Sequence, residues 1–105
     1  MRDSENILSV IKTTVKKHIP DAEVSLFGSR ARETATEESD YDILVVTQNE
    51  LTTKEKMPLK TAIRKDLLKL DIRTDILIQS QSEIRKKRRL PGHIIRNIMK
   101  ESILL

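Results

Sequence analysis

Two short polar motifs, each next to an apolar run, constrain this chain more than any other feature of its sequence. Gly28-Ser29 follows the alternating segment 23–27, and Asp40-Tyr41-Asp42 leads directly into the run Ile-Leu-Val-Val at 43–46. The alternation predicts a short strand before the Gly-Ser turn, and the apolar run predicts a central strand covered on both faces. Both motifs are therefore expected at strand ends, where loops carry much of a protein's chemistry.

Helical spacing of apolar residues predicts two helices beside these strands. Ser4 precedes apolar residues that recur four apart from Ile7, so we expect a capped first helix that Pro20 ends. A second helix is expected over about 58–70, with Pro58 in its first turn.

The remaining segments complete the predicted fold. Residues 72–78 have strand character, and a last helical region is expected from about Ser82, interrupted by Pro91-Gly92. With a short helix after Gly-Ser, the order is helix, strand, short helix, strand, helix, strand, helix. This order predicts an α/β (α+β) fold with a small mixed sheet flanked by helices. The chain is long enough for one core, so we expect one domain over residues 1–105.

Composition narrows the chemistry that the chain can support. Without cysteine there is no disulfide framework, thiolate metal site or cysteine nucleophile, so oxygen ligands remain for any metal. The formal net charge of +4 suits phosphate-bearing ligands without requiring nucleic acid, which we do not favour as a partner. Charges within residues 1–19 are incompatible with a signal peptide or membrane span there, so we expect a cytoplasmic protein with no membrane partner.

Asp40 and Asp42 flank a single residue, so in an extended chain their carboxylates project from one face, roughly 6–7 Å apart. Two anions on one face favour a divalent cation, and hard carboxylate oxygens select magnesium or manganese. The alternative is a pair of solvated aspartates at a loop-to-strand junction. Gly28-Ser29 favours the metal site, because glycine permits close backbone approach and the serine hydroxyl and following amides can bind phosphate.

The stretches 26–32 (Leu-Phe-Gly-Ser-Arg-Ala-Arg) and 39–45 (Ser-Asp-Tyr-Asp-Ile-Leu-Val) resemble the nucleotidyltransferase superfamily that includes DNA polymerase β and the antibiotic nucleotidyltransferases. Ten residues separate Ser29 from Asp40, as in the minimal nucleotidyltransferases. Two positions depart from the family pattern. Glu33 stands where many relatives have glycine, and Glu101-Ser102 stands where many have Glu-Gly.

The resemblance implies that Asp40, Asp42 and a third carboxylate on a later strand are catalytic and bind two Mg²⁺ ions. Asp75, which enters an apolar strand, is preferred for the third position, and Asp71 is its rival. By the same resemblance, the phosphates of ATP or another nucleoside triphosphate are bound by Gly28, Ser29, Arg30 and Arg32.

The implied reaction is the transfer of a nucleoside monophosphate, AMP from ATP, onto a hydroxyl group. Minimal nucleotidyltransferases are commonly paired with a small helical HEPN protein, so the resemblance implies an antitoxin that transfers AMP to a tyrosine of a HEPN-type partner. The alternatives are a non-catalytic module that recognises nucleotide or neutralises a toxin by contact, and a small-molecule (antibiotic) nucleotidyltransferase.

Three further features stay open at the level of sequence. The basic run 85–89 is compatible with guiding ATP, contacting RNA, facing an acidic partner or forming a solvated helix face. His18 and His93 have no carboxylate or histidine at ligand spacing, so both are expected to be structural or exposed.

Overall fold

Helices and short strands alternate along the part of the chain that the computed structural model describes, residues 4–105. In chain order the elements are α1 (Ser4–His18), β1 (Glu23–Phe27), β2 (Tyr41–Thr47), α2 (Thr53–Leu68), β3 (Thr74–Ser80), α3 (Gln81–Arg88), α4 (Ile94–Glu101) and β4 (Ile103–Leu104). The predicted fold class is confirmed, since helices flank a small mixed sheet. Within residues 4–105, no helix has both the length and the apolar character needed to cross a membrane.

The sheet has the strand order β3-β2-β1-β4, with β1 antiparallel to both neighbours and β2 parallel to β3. The central strand β2 is covered on both faces, as its apolar run predicts, and Ile43, Leu44 and Val45 are fully buried. Because β1 runs against β2 and β3, its carboxyl end meets their amino ends at one end of the sheet. Both sequence motifs lie at this end.

Each face of the sheet packs against a different pair of helices. On one face, Ile11 and Val15 of α1 and Ile63 of α2 pack with Ile43 and Val45. On the other face, Leu44 and Val46 pack with a cluster contributed by α3 and α4, formed by Ile84, Ile95 and Ile98. Burial of one such aliphatic side chain contributes about 1.5–3 kcal/mol, so both layers are needed to hold the strands in place.

The predicted start of α2 at about residue 58 is wrong. The helix begins five residues earlier, because Thr52 forms a capping box with Glu55 that provides an earlier N-terminus. Pro58 consequently lies inside the helix instead of in its first turn. The next strand also begins later than predicted, at Thr74, because a turn containing Asp71 (φ 60°) separates it from α2.

The short helix expected after Gly28-Ser29 is absent from the described structure. Residues 29–33 instead form turns in which the amides of Ala31 and Arg32 donate to the Gly28 carbonyl. Glu33 leaves the helical region with φ 61°, a conformation that favours glycine. The two-residue strand β4 was not predicted, because so short a segment has no readable period.

Both histidines have structural contacts in the fold. His18 Nε2 lies 2.7 Å from the Asp66 carboxylate and thereby joins α1 to α2. His93 caps α4 by accepting a hydrogen bond from the Ile95 amide at Nδ1, beyond the break that Pro91-Gly92 predicted. Neither histidine lies among the candidate site residues described next.

Candidate active site

The three carboxylates predicted to act together lie on, or directly before, two adjacent strands. Asp42, the second residue of β2, lies opposite Asp75, the second residue of β3, in the parallel register. Backbones so paired are about 4.8 Å apart, so these two side chains share one end and one face of the sheet. Asp40 precedes β2, and one of its oxygens lies 3.7 Å from Arg73 Nε in an exposed ion pair.

The environment of Asp42 disfavours the charged form of its carboxyl group. Burial raises the pKa of the Asp42 carboxyl above its ordinary value, and the carboxylates of Asp75 and Asp40 raise it further. Arg32 opposes these effects, and Glu101 adds to them. Mutually repelling carboxylates at one point are the arrangement that a bound cation stabilises.

Gly28 directly adjoins this carboxylate. Its φ is 74°, and a Cβ placed on it would lie 2.0 Å from Asp42 Oδ2. Only glycine can therefore occupy the position without a shift of the turn or of Asp42. The turn predicted to bind phosphate and the carboxylate predicted to bind its metal are thus in immediate contact.

The Gly28 turn presents its donors toward Glu101, a residue that sequence reasoning did not assign to the site. The Gly28 amide donates to Glu101 Oε1 at 3.1 Å, and Arg32 Nη1 donates to Oε2 at 2.8 Å. These two interactions lower the pKa of the Glu101 carboxyl, with the Arg32 hydrogen bond first among the causes. Two sequence signals pointed to Glu101: the Glu-Gly pattern of many relatives at this position, and an acidic residue in the last turn of a helix, where the dipole disfavours negative charge.

The two predicted phosphate-binding arginines lie in different places. Arg32 belongs to the site through Glu101 and its effect on Asp42. Arg30 is directed away from Glu101: its Nε and Nη2 donate to the Ser39 carbonyl at 3.1 and 2.8 Å, and its guanidinium lies 4.1 Å from the centroid of the Tyr41 ring. Arg30 therefore holds the loop that leads into β2.

Asp71 and Asp75 are also separated by the fold. Asp71 lies in the turn before β3, where it lines a cavity of about 510 Å³ together with Arg30, Tyr41 and Arg73. Asp75 lies beside Asp42. The register between β2 and β3 therefore favours Asp75 over Asp71 as the third carboxylate.

The carboxylate oxygens of Asp40, Asp42 and Asp75 suit a hard divalent cation, although the three side chains do not converge on one point. Among the side chains that the structure describes, no group of three or more acidic or histidine residues has the spacing of a metal site. The Asp40 side chain accounts for part of this, since it is drawn toward Arg73. The repulsion at Asp42 and the oxygen-only chemistry of Asp40, Asp42 and Asp75 fit Mg²⁺.

The basic run at 85–89 lies on and just after α3 and is largely exposed. Arg88 joins Arg96, Met99 and Lys100 of α4 around a cavity of about 320 Å³. Residues 81–105 contain seven Lys or Arg and two Glu, so their net charge exceeds the +4 of the whole chain. The positive charge of this protein is therefore concentrated on the helices that cover the face carrying Asp42.

Comparison with known proteins identifies the family of this chain. Residues 8–105 match the family model described as the nucleotidyltransferase domain. The chain belongs to the nucleotidyltransferase domain family. A comparison with curated proteins found no match.

Solved structures share the fold over almost the whole chain. A structure described as that of a minimal nucleotidyltransferase is 26% identical, with a TM-score of 0.63 over 99% of this chain and 97% of that one. A toxin–antitoxin complex with AMP-PNP is 22% identical, with a TM-score of 0.63 and coverage of 94% and 71%. A Shewanella oneidensis tri-AMPylated HEPN toxin in complex with its MNT antitoxin is 17% identical, with a TM-score of 0.60 and coverage of 95% and 69%.

Proposed function

We propose that this chain is a magnesium-dependent adenylyltransferase that moves AMP from ATP onto a tyrosine of a HEPN-type partner and so acts as its antitoxin. The observation that carries the proposal is the meeting of Asp42, Asp75 and the Gly28 turn at one end of the sheet. The fold shared with antitoxins in HEPN complexes supports the choice of acceptor. The need for ATP and the absence of cysteine suit the cytoplasm.

The proposed roles follow from where each side chain lies. Asp40, Asp42 and Asp75 would hold Mg²⁺, which supplies charge stabilisation at the phosphate under attack. Asp75, the exposed member of the β2–β3 pair, would accept the proton of the acceptor hydroxyl. The acceptor oxygen forms a bond to the α-phosphorus while the bridging P–O bond breaks, and pyrophosphate leaves with the electron pair.

The Gly28 turn would retain the departing phosphates. The Gly28 amide, the Ser29 hydroxyl and Arg32 are donors at the end of β1, next to Asp42. Donors that face developing negative charge lower the barrier for phosphoryl transfer. Arg30 would act indirectly, by fixing the loop that precedes Asp40.

The surface of α3 and α4 supports a protein partner over RNA. Among the side chains that the structure describes, Arg88, Arg96 and Lys100 form no ion pair, so a partner can neutralise them. Leu90 and Ile94 are 52% and 66% exposed nearby in the sequence, and residues 81–105 contain no Phe, Tyr or Trp on which a base could stack. We expect an acidic and partly apolar protein surface to bind here.

The test is AMP transfer to the protein encoded beside this chain, which the proposal expects to be of HEPN type. The chain is incubated with that protein, Mg²⁺ and either α-labelled or γ-labelled ATP. The expected result is an α-labelled but not γ-labelled partner, with loss of label in Asp42→Asn and its retention in the matched control Asp71→Asn. Tight binding without label from any of the four nucleotides would contradict the enzymatic proposal and favour neutralisation by contact, whereas label on a small molecule would identify a different acceptor.

A further inference from the structure

Glu101 occupies the donors that the proposed function assigns to phosphate. One carboxylate oxygen accepts from the Gly28 amide at 3.1 Å, and the other accepts from Arg32 at 2.8 Å. A carboxylate bound by a backbone amide and a guanidinium uses the same charge-assisted hydrogen bonds that a phosphate group would use. Glu101 and a phosphate cannot both accept the single hydrogen of the Gly28 amide, and their negative charges compete for Arg32.

The fold fixes the backbone on both sides of this contact. Glu101 ends α4, and the next residues form β4, in which Ile103 pairs with Leu26 of β1. The Ser102 amide donates to the Ile98 carbonyl at 2.9 Å, which closes the helix end. The backbone of Glu101 is thus anchored beside the Gly28 turn, and its flexible side chain alone has to move for the donors to become free.

The position of Glu101 is unfavourable in two other respects. Its carboxylate lies at the negative end of the α4 dipole, and it adds to the negative charges around Asp42. The contacts with Gly28 and Arg32 offset these costs only while no other anion competes for them. A nucleotide brings a more highly charged anion to the same donors.

We propose that Glu101 accepts from the Gly28 amide and Arg32 in the nucleotide-free chain and is displaced by a phosphate of the incoming nucleotide. Competition by Glu101 thereby lowers the affinity for nucleotide. The inference rests on the proposed function, because it requires that phosphates bind at Gly28. In addition to the three aspartates, this inference gives Glu101 a role in nucleotide binding, in which a phosphate replaces its carboxylate at the shared donors. Displacement also releases Arg32 for contact with the nucleotide.

The test is nucleotide binding by Glu101→Gln, without any acceptor. The neutral amide competes less well for Arg32, so we expect MgATP to bind about five- to ten-fold more tightly than to the unmodified chain, as for the loss of one charge-assisted hydrogen bond. Adenosine, which has no phosphate, is expected to bind unchanged. Glu33→Gln is the matched control, since it removes one negative charge from the same turn and the Glu33 side chain forms no hydrogen bond or ion pair with Gly28 or Arg32.

A second readout is independent of affinity. The chain contains only two glycines, so the Gly28 amide is readily found in a ¹H–¹⁵N correlation spectrum. Its resonance should move in Glu101→Gln before nucleotide is added and move again, in both chains, on addition of MgATP. The same spectrum shows whether the variant is folded, and Glu101→Asp, which is too short to bridge both donors, should also bind MgATP more tightly.

The outcomes separate this inference from the proposed function. The role of Glu101 is overturned if Glu101→Gln binds MgATP equally or more weakly than the unmodified chain, or if Glu33→Gln strengthens binding as much as Glu101→Gln does. Either result leaves the nucleotide site intact. Failure of MgATP to bind either chain or to move the Gly28 resonance overturns the proposed function and the inference together.

Discussion

Asp42 lies opposite Asp75 across the parallel strands β2 and β3, and its Oδ2 lies where a side chain on Gly28 would begin. This relationship joins the two sequence motifs and the third carboxylate in one place. It also makes the stability of the metal-free protein sensitive to the charge of Asp42, which leads to the first prediction.

Asp42→Asn should stabilise the metal-free protein at neutral pH while it abolishes transfer. The folded-state pKa of Asp42 lies above its ordinary value of 3.8, so the folded chain binds this proton more tightly than the unfolded chain does. The contribution of Asp42 to stability therefore declines as pH rises from the unfolded pKa through the folded pKa. Thermal unfolding in EDTA should show a higher Tm for Asp42→Asn at pH 7 and convergence of the two proteins below about pH 4. A lower Tm for the variant at pH 7 would contradict the cost assigned to burial of the Asp42 charge and to its repulsion by Asp75 and Asp40.

Asp75→Asn should reduce AMP transfer by at least about 100-fold, because loss of a metal ligand costs no less than loss of its supporting contacts. Asp71→Asn should leave the rate within about two-fold, since Asp71 lies in the turn before β3 and the Asn side chain tolerates its positive φ. Initial rates at saturating MgATP compare the two. The reverse ranking would transfer the third carboxylate position to Asp71.

Gly28→Ala should destabilise the fold more than Gly92→Ala. Both glycines have φ 74°, so both substitutions incur a left-handed backbone cost of about 1–2 kcal/mol. Only at Gly28 does the new Cβ meet another atom, Asp42 Oδ2, whereas nothing lies within 4 Å at Gly92. Urea denaturation of both variants should therefore show a larger loss of unfolding free energy for Gly28→Ala. Equal losses would mean that the Asp42 side chain moves aside without cost.

Charge reversal of three exposed cations on α3 and α4 should weaken binding of the HEPN-type partner. Arg88→Glu, Arg96→Glu and Lys100→Glu together should raise the Kd by about ten-fold or more and reduce its dependence on salt. The matched control reverses three exposed cations on the opposite helices, Lys12, Lys16 and Arg64, with the same change in net charge. Calorimetric titration at two salt concentrations measures both effects. Equal weakening in the two variants would assign the interaction to net charge alone.

Much of the architecture around the two motifs was readable from the sequence. The apolar run after Asp42 predicted the central strand, and the Gly-Ser turn predicted the end of β1, because alternation and breaker residues act locally. The start of α2 differs from its predicted position for an equally local reason, because the Thr52–Glu55 capping box begins the helix ahead of Pro58. The positions of Asp40, Asp42 and Asp75 could be selected from the chain, and their catalytic roles remain predictions.

By itself, the sequence determined the positions of β1 and β2 and which carboxylates precede apolar runs, since these depend on neighbours a few positions away. Only the tertiary structure decided that Asp75 rather than Asp71 stands beside Asp42, because the register of two strands depends on how whole apolar faces pack. It alone also separated Arg32 from Arg30 and placed Glu101 against Gly28. The Gly28–Glu101 contact spans 73 positions of the chain and is set by the pairing of β4 with β1, which local pattern does not encode.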